Sequence, residues 1–301
     1  MKKIILLVFV LPLFVFSQNN PNAEYWQLNR WEAKEGMAKE FESAVSKKTQ
    51  KFNNSEETAI LTFQISTGPD SGKYMRVVGP KTADFFNQSL SDSDEYAYWV
   101  KNVMPYVKDQ MGNVRTARLG DLSYNWDSSE APKKYVKFTT VRLKSEDSRD
   151  WFDFMRRDAK LKRDNGYTGI RGVFYVVSGS QWEIHVVEPY DSHGTRLGTF
   201  ENDSFDYEDK YNEMFGWRAL EYDRRKRNEA IRDYAGDVVE TKVYCNSTCA
   251  YLNDKAEAYP TGYESDTCVF CANDGCNKVV ITGIDCEYCI PTGIDCEFAS
   301  N

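Results

Sequence analysis

The chain has 301 residues, of which 41% are hydrophobic and 14% aromatic, and its formal net charge is −8. This apolar content is enough to bury one large core or two of ordinary size, which excludes a disordered chain. Residues 245–301 hold nine acidic residues against two lysines. A near-neutral body with an acidic end argues against nucleic acid as a partner, because phosphate binding needs a basic surface.

The first 17 residues have the pattern of a secretory signal peptide. Two lysines precede an apolar run over residues 4–16, and the chain turns polar directly after it. A run of this length is short for a membrane span and typical of a signal peptide. We expect cleavage near Ser17 and a mature protein that is periplasmic or extracellular, with no membrane span after cleavage. The alternative is an uncleaved anchor or a buried core helix.

Residues 24–128 and 133–244 form two similar halves, which are seen when the chain is compared with itself at an offset of about 110. Tyr25–Trp31 matches Tyr135–Val141, and both segments predict a strand. Each strand is followed by apolar residues at the i, i+3, i+4 spacing of a helix with one buried face. These residues are Phe41, Ala44 and Val45 in the first half, and Trp151, Phe154 and Met155 in the second.

A hairpin follows in each half. Tyr74–Pro80 matches Glu183–Pro189 at an offset of 109, and each segment comes after a β-rich run, at 59–67 and at 172–178. Glycine-containing linkers between the runs favour tight turns.

A second helix and a last strand complete each half. Helices are predicted at 95–111 and 207–235, and the similar segments 112–114 and 236–238 predict the last strands at an offset of 124. Each half therefore has the predicted order β-α-β-β-α-β.

This order is that of the ferredoxin-like unit, whose antiparallel sheet carries both helices on one face. With its duplication and aromatic strands, the region 24–244 resembles the dimeric α+β barrel superfamily, which includes antibiotic-biosynthesis-type monooxygenases, heme-degrading enzymes, NIPSNAP-like proteins and small stress-responsive barrels. The resemblance implies an α+β fold in which two ferredoxin-like repeats pack as a pseudo-dimeric α+β barrel. The alternative is two such domains in tandem without a shared barrel.

The resemblance also implies a ligand site between the sheet faces, lined by alternate residues of the strands. The increase in offset from 109 to 124 shows that the second half has about 15 extra residues, at 190–204, which we interpret as a lid. Tyr190 begins this insertion. Arg196 lies within it and could bind a carboxylate or phosphate of a ligand, although a solvated loop arginine is the alternative.

The only two histidines lie on the strand that leads to the insertion and within it. His185 or His193 could act as a general base or as an iron or heme ligand, since imidazole does either near neutral pH. The alternative is structural, a hydrogen-bonded strand residue and a turn residue. His185 aligns with Arg76 of the first half, so the two halves differ in chemistry there. The candidate ligand-binding residues are His185, His193, Arg196, Tyr190 and Arg76.

The sequence contains no nucleophile elbow, Walker A loop, dinucleotide-binding glycine pattern or H-E-x-x-H motif. We predict no cofactor, with heme or zinc as the alternatives, and we assign no catalytic residue. The leading hypothesis is an exported barrel that binds a small-molecule ligand. The alternatives are a monooxygenase-like enzyme acting in the same cleft, and an extracytoplasmic interaction protein that uses the cysteine-rich tail, residues 245–301.

All eight cysteines lie in the tail, 245–301. They are Cys245, Cys249, Cys268, Cys271, Cys276, Cys286, Cys289 and Cys296. An even number at this density in an exported chain predicts a small domain held by four disulfides. The two C-x-x-C pairs at 268–271 and 286–289 also resemble a zinc ribbon, and export favours disulfides over zinc because extracytoplasmic thiols are oxidised.

Overall fold

The fold is given by a computed structural model. It describes residues 23–53, 55–87, 93–128, 133, 135–180, 182–195 and 197–243, together with 270–272 and 275–279. The signal peptide, Arg196 and most of the cysteine-rich tail lie outside these residues.

The first repeat has six main elements in the predicted order. They are β1 (Tyr25–Ala33), α1 (Ala38–Phe52), β2 (Ile60–Ile65), β3 (Tyr74–Lys81), α2 (Asp94–Asn102) and β4 (Val107–Arg118). Phe41 and Val45 of α1 are fully buried, as the spacing predicts. The side chain of Ser93 caps α2 by accepting a hydrogen bond from the Tyr96 backbone N–H.

The second repeat has the same order with one helix divided in two. Its elements are β5 (Tyr135–Leu143), α3 (Ser148–Asp164), β6 (Gly172–Ser178), β7 (Glu183–Tyr190), α4 (Tyr207–Phe215), α5 (Ala219–Ala230) and β8 (Ile231–Val243). The side chain of Asp206 caps α4 by accepting from the Asp209 backbone N–H at 2.8 Å.

The eight strands form one closed barrel in the order β1-β3-β2-β8-β5-β7-β6-β4. Each repeat contributes a four-stranded antiparallel sheet, and the sheets join where β2 pairs with β8 and where β4 pairs with β6. The chain therefore has the dimeric α+β barrel fold, duplicated within one chain, and the tandem arrangement without a shared barrel is excluded.

Three apolar cores follow from this topology. One core lies inside the barrel and includes Trp26, Phe63 and Phe138. A second lies beneath α1 and α2 on the outside of the first sheet, and the third lies beneath α3, α4 and α5 on the outside of the second. Alternate strand residues thus face either the barrel interior or the helices.

Two of the predicted helices are wrong at their C-terminal ends. The helix predicted at 95–111 ends at Asn102, because Pro105 lies in a 3-10 turn and cannot continue an α-helix, and β4 begins at Val107. The helix predicted at 207–235 is interrupted at Gly216, whose φ is 116°, and ends at Ala230.

The alignment of His185 with Arg76 is also wrong, because β3 contains a bulge. Val77 pairs with Leu28, and Val187 pairs with Phe138, which is an offset of 110 rather than 109. The bulge adds one residue to β3 between Val78 and Lys81. An alignment that matches Pro80 with Pro189 therefore places the preceding residues of β3 one position out of register with those of β7. The structural counterpart of His185 is therefore Met75.

Only a short antiparallel hairpin of the tail is described, β9 (Phe270–Ala272) and β10 (Gly275–Val279). Cys271 and Cys276 lie on its backbone, and their side chains lie outside the description. The predicted disulfides and the alternative zinc site therefore stay predictions. None of the described helices has the length and apolar composition that crossing a membrane requires.

Candidate functional site

A cavity of about 110 Å³ lies inside the barrel. Its wall is formed by residues of seven strands, β1 to β7. They are Trp26, Leu28, Leu61, Phe63, Met75, Val77, Thr116, Val136, Phe138, Phe174, His185, Val187 and Pro189. An engineered apolar cavity of about 150 Å³ in another protein holds benzene, so this space is of the size of a small ring.

The segment that joins the two repeats covers one end of the cavity. Asn125, Trp126, Asp127 and Ser128 all contribute to the wall. Asn125 adopts a left-handed conformation with φ at 50°, and its side chain donates to the Gly169 carbonyl at 2.9 Å. We name residues 125–128 the linker cap.

A hydrogen-bond chain fixes the linker cap to the barrel. Trp126 Nε1 donates to Ser128 Oγ at 2.9 Å, and Ser128 Oγ donates to Glu24 Oε2 at 2.6 Å. Arg118 donates to both carboxylate oxygens of Glu24 at 2.7 Å. Burial alone would raise the pKa of Glu24, but the hydrogen bonds from Arg118 and Ser128 hold that pKa below its ordinary value. Glu24 is therefore an ionised acceptor at neutral pH.

Three aromatic rings enclose the capped end of the cavity. Trp26, Trp126 and Phe174 contact one another edge to face, with centroid distances of 5.3 to 6.3 Å. Gly172 allows this approach, since a Cβ at that position would lie 2.7 Å from the Trp126 ring. The rings present an apolar, aromatic surface to any occupant.

Of the candidate residues that the structure describes, His185 alone lines the cavity. It is 4% exposed, and its ring lies 4.7 Å from that of Phe138. His185 Nε2 is 3.1 Å from Glu183 Oε1, and Arg142 Nε donates to the other oxygen of Glu183 at 3.0 Å. Among the described residues, no group makes a hydrogen bond to His185 Nδ1.

Burial lowers the pKa of His185, although the neighbouring Glu183 opposes that change. The hydrogen bond from His185, followed by that from Arg142, holds the pKa of Glu183 well below its ordinary value. At neutral pH the ring is therefore neutral and the carboxylate is ionised. Because the carboxylate only accepts, the ring proton resides on Nε2, and Nδ1 carries a free lone pair.

The side chain of Arg76 lies on the face of β3 that points away from the cavity and toward the helices. Arg76 Nη2 donates to Thr49 Oγ1 at 2.9 Å, and its guanidinium lies 5.0 Å from the Trp99 ring beneath the helices. It is buried outside the barrel interior. The one-residue shift in the alignment accounts for this, because it transfers a strand residue to the other face.

Tyr190 and His193 also lie away from the cavity. Tyr190 is buried and stacks on Tyr135 with centroids 5.5 Å apart. His193 is exposed in a 3-10 turn, 4.9 Å from the Tyr135 ring. Further along the insertion, Phe200 pairs with Tyr167 in the loop after α3. No described residue of 190–204 lines the cavity, so the cover is the linker cap and not the insertion.

The sequence reasoning missed the linker cap and the Glu183 partner of His185. The available signal was a tryptophan among polar residues in the segment between the repeats. Glu183 and His185 are also two apart on one strand, which places them on the same face.

No protein-family model matches the chain, and no curated protein is significantly similar to it in sequence. Several solved structures are similar to it. One is a provisionally named monooxygenase of Fusobacterium nucleatum, with a TM-score of 0.47 and 11% identity over 73% of this chain and 92% of that chain.

Two further structures are similar to a comparable degree. A chlorite dismutase from Candidatus Nitrospira defluvii, in complex with imidazole, has a TM-score of 0.43 and 8% identity over 77% of this chain and 94% of that chain. A heme-binding protein from Thermus thermophilus has a TM-score of 0.43 and 11% identity over 74% of this chain and 92% of that chain. The strand order of the closed barrel establishes the fold independently of these structures.

Proposed function

We propose that this protein binds a small, mainly apolar molecule inside the barrel. The observation that carries the proposal is the cavity of about 110 Å³, lined mainly by aliphatic and aromatic side chains and covered at one end by the linker cap. Native interiors are close-packed, and few voids larger than a water molecule remain in them. A cavity of this size beneath a hydrogen-bonded cover is therefore best explained by an occupant.

Binding is favoured over the monooxygenase-like alternative by the character of the one buried histidine. A general base is most effective when its pKa lies near the working pH. Burial lowers the pKa of His185, which weakens the ring as a base while leaving it a good hydrogen-bond acceptor. The described cavity supplies a binding pocket more readily than a proton-transfer site.

Heme does not fit this cavity. Ligands of drug size occupy sites of roughly 300–1,000 Å³, and heme is at least of that size. The Trp26 and Trp126 rings contact each other at the capped end, and the hydrogen bonds of Trp126 and Ser128 hold the cap in place.

The cellular location is proposed from the sequence. We propose that residues 1–17 export the barrel to the periplasm or the medium, and that the tail is oxidised there. The tail would then be a covalently stabilised appendage of a ligand-binding domain.

The test uses toluene as a probe, with calorimetric titration and thermal unfolding as readouts. Val187→Phe adds a phenyl ring that fills part of the cavity. Val177→Phe makes the same change at an exposed position of the neighbouring strand β6 and is the matched control. We expect toluene to raise the unfolding temperature of the wild type and of Val177→Phe, because a ligand that binds only the folded state stabilises it. Val187→Phe should show no such rise. Absence of toluene binding to the wild type, or equal binding to all three proteins, would refute the proposal.

A further inference from the structure

Two ring nitrogens of the cavity wall have no hydrogen-bond partner among the described residues, Trp26 Nε1 and His185 Nδ1. The indole nitrogen can only donate, so His185 Nδ1, on the ring that contacts the Glu183 carboxylate through Nε2, is the acceptor of the pair. A buried acceptor without a partner is costly, because it loses its hydrogen bonds to water on folding. Thr140, opposite His185 on β5, and Phe138, whose ring contacts that of His185, are its neighbours on this side. Neither makes a hydrogen bond to Nδ1, so the cost of burying this acceptor is not offset.

The chemistry of this nitrogen is fixed by the pair on the other side of the ring. Arg142 and His185 both donate to Glu183, so the carboxylate holds the proton on Nε2. Arg30, on the facing strand, adds a positive charge that further disfavours protonation of the ring. Nδ1 is therefore a permanent acceptor at neutral pH.

We infer that the ligand of this cavity carries one O–H or N–H donor on a ring-sized apolar body, and that His185 Nδ1 accepts its hydrogen bond. The inference rests on the proposed function and adds the residue that determines specificity. His185 has apolar neighbours in the Phe138 ring and in Phe174, its partner on β6. Its polar neighbours are Thr140, its partner on β5, and the Arg30 charge. One donor on the ligand satisfies Nδ1, which has no partner among the described residues.

The register of the barrel explains why only one half carries this acceptor. Met75 occupies the equivalent position in the first repeat and also lines the cavity. Its thioether is a weak acceptor and a flexible apolar surface. The polar end of the ligand is thus oriented toward the second repeat.

Phenol and toluene form the matched pair of probes, because a hydroxyl in one replaces a methyl in the other. The quantity measured is the ratio of their dissociation constants in the wild type, His185→Leu, His185→Asn and His193→Leu. We expect the preference for phenol to fall about tenfold in His185→Leu, the size of one lost hydrogen bond to a buried acceptor. His185→Asn should restore part of the preference, since its amide oxygen can accept. His193→Leu, which removes the exposed histidine, should leave the ratio unchanged.

A measurement on the wild type keeps the inference testable if the variants do not fold. The ¹⁵N resonance of His185 Nδ1 should move upfield on addition of phenol and stay in place with toluene. If both probes bind and the ratio is the same in the wild type and His185→Leu, the cavity binds ligands without this contact and the inference is wrong. If neither phenol nor toluene binds, both the proposed ligand binding and the role of His185 are wrong.

Discussion

Trp126 is the residue of the linker cap whose contribution can be worked out from its contacts. Its ring makes edge-to-face contacts with Trp26 and Phe174, and each such contact contributes about 0.5–1.5 kcal/mol. Its Nε1 donates to Ser128, which adds about 1 kcal/mol. Trp126→Ala should therefore lower the free energy of unfolding by about 2–4 kcal/mol, and Trp126→Phe, which keeps a ring, by about 1 kcal/mol.

The same substitution should weaken ligand binding. Removing the ring exposes roughly 50 Å² of a bound apolar probe to water, which costs about 1.2 kcal/mol or nearly a tenfold loss of affinity. Urea denaturation monitored by circular dichroism gives the stability, and titration with toluene gives the affinity. Trp217→Ala is the matched control, because Trp217 is 88% exposed, and it should change stability by less than about 0.5 kcal/mol.

Two outcomes would contradict this account of the linker cap. The first is a cost for Trp126→Ala no greater than that for Trp217→Ala, which would mean that the segment does not hold the ring against the barrel. The second is an equal cost for Trp126→Phe and Trp126→Ala, which would assign the whole effect to the hydrogen bond and none to the rings.

Two further predictions concern the buried Lys48 beneath the helices and the binding of heme. Burial, followed by repulsion from Arg76, lowers the pKa of Lys48 from its ordinary 10.5 to about 8. Between these two pH values Lys48 is protonated in the unfolded chain and largely neutral in the folded protein. The free energy of unfolding therefore rises with pH in this range. At about 1.36 kcal/mol per pH unit, the free energy of unfolding of the wild type should rise by up to about 3 kcal/mol relative to that of Lys48→Met between pH 7 and 10.5. Urea denaturation of both proteins across this pH range measures the difference, and a difference that does not change with pH would contradict the prediction. Titration with hemin should give no shift of the Soret band, and a histidine-type band that disappears in His185→Leu would show that the cavity opens for heme.

The fold could be predicted from the sequence because the duplication repeats both spacing and order. Tyr25–Trp31 and Tyr135–Val141 occupy equivalent strands with the offset that the sequence indicates. The helix stripe that includes Phe41 and Trp151 is buried in both repeats. Hydrophobic periodicity carries this information because each face of each element packs against a different layer.

The site could be predicted only in part, because it depends on register and on a loop. Within a strand, one bulge changes which face each residue occupies, and periodicity does not reveal a bulge that lies beside a matched proline. This is why Arg76 was grouped with His185. The linker cap depends on contacts such as the bond from Ser128 to Glu24, which joins residues 104 positions apart and has no local signal.

Under the proposed function, the asymmetry of the barrel favours one orientation of the ligand. Two identical subunits would present equivalent residues on both sides of the interior, whereas here Met75 is the counterpart of His185. A fused pair also has a single connecting segment, so only one end of the barrel can be covered by it. In this chain that segment carries Trp126 and lines the cavity together with Pro189, four positions along β7 from His185. His185 pairs with Phe174, one of the three rings at the capped end, so the acceptor lies beside the aromatic surface and a ring with one donor is the shape that satisfies both.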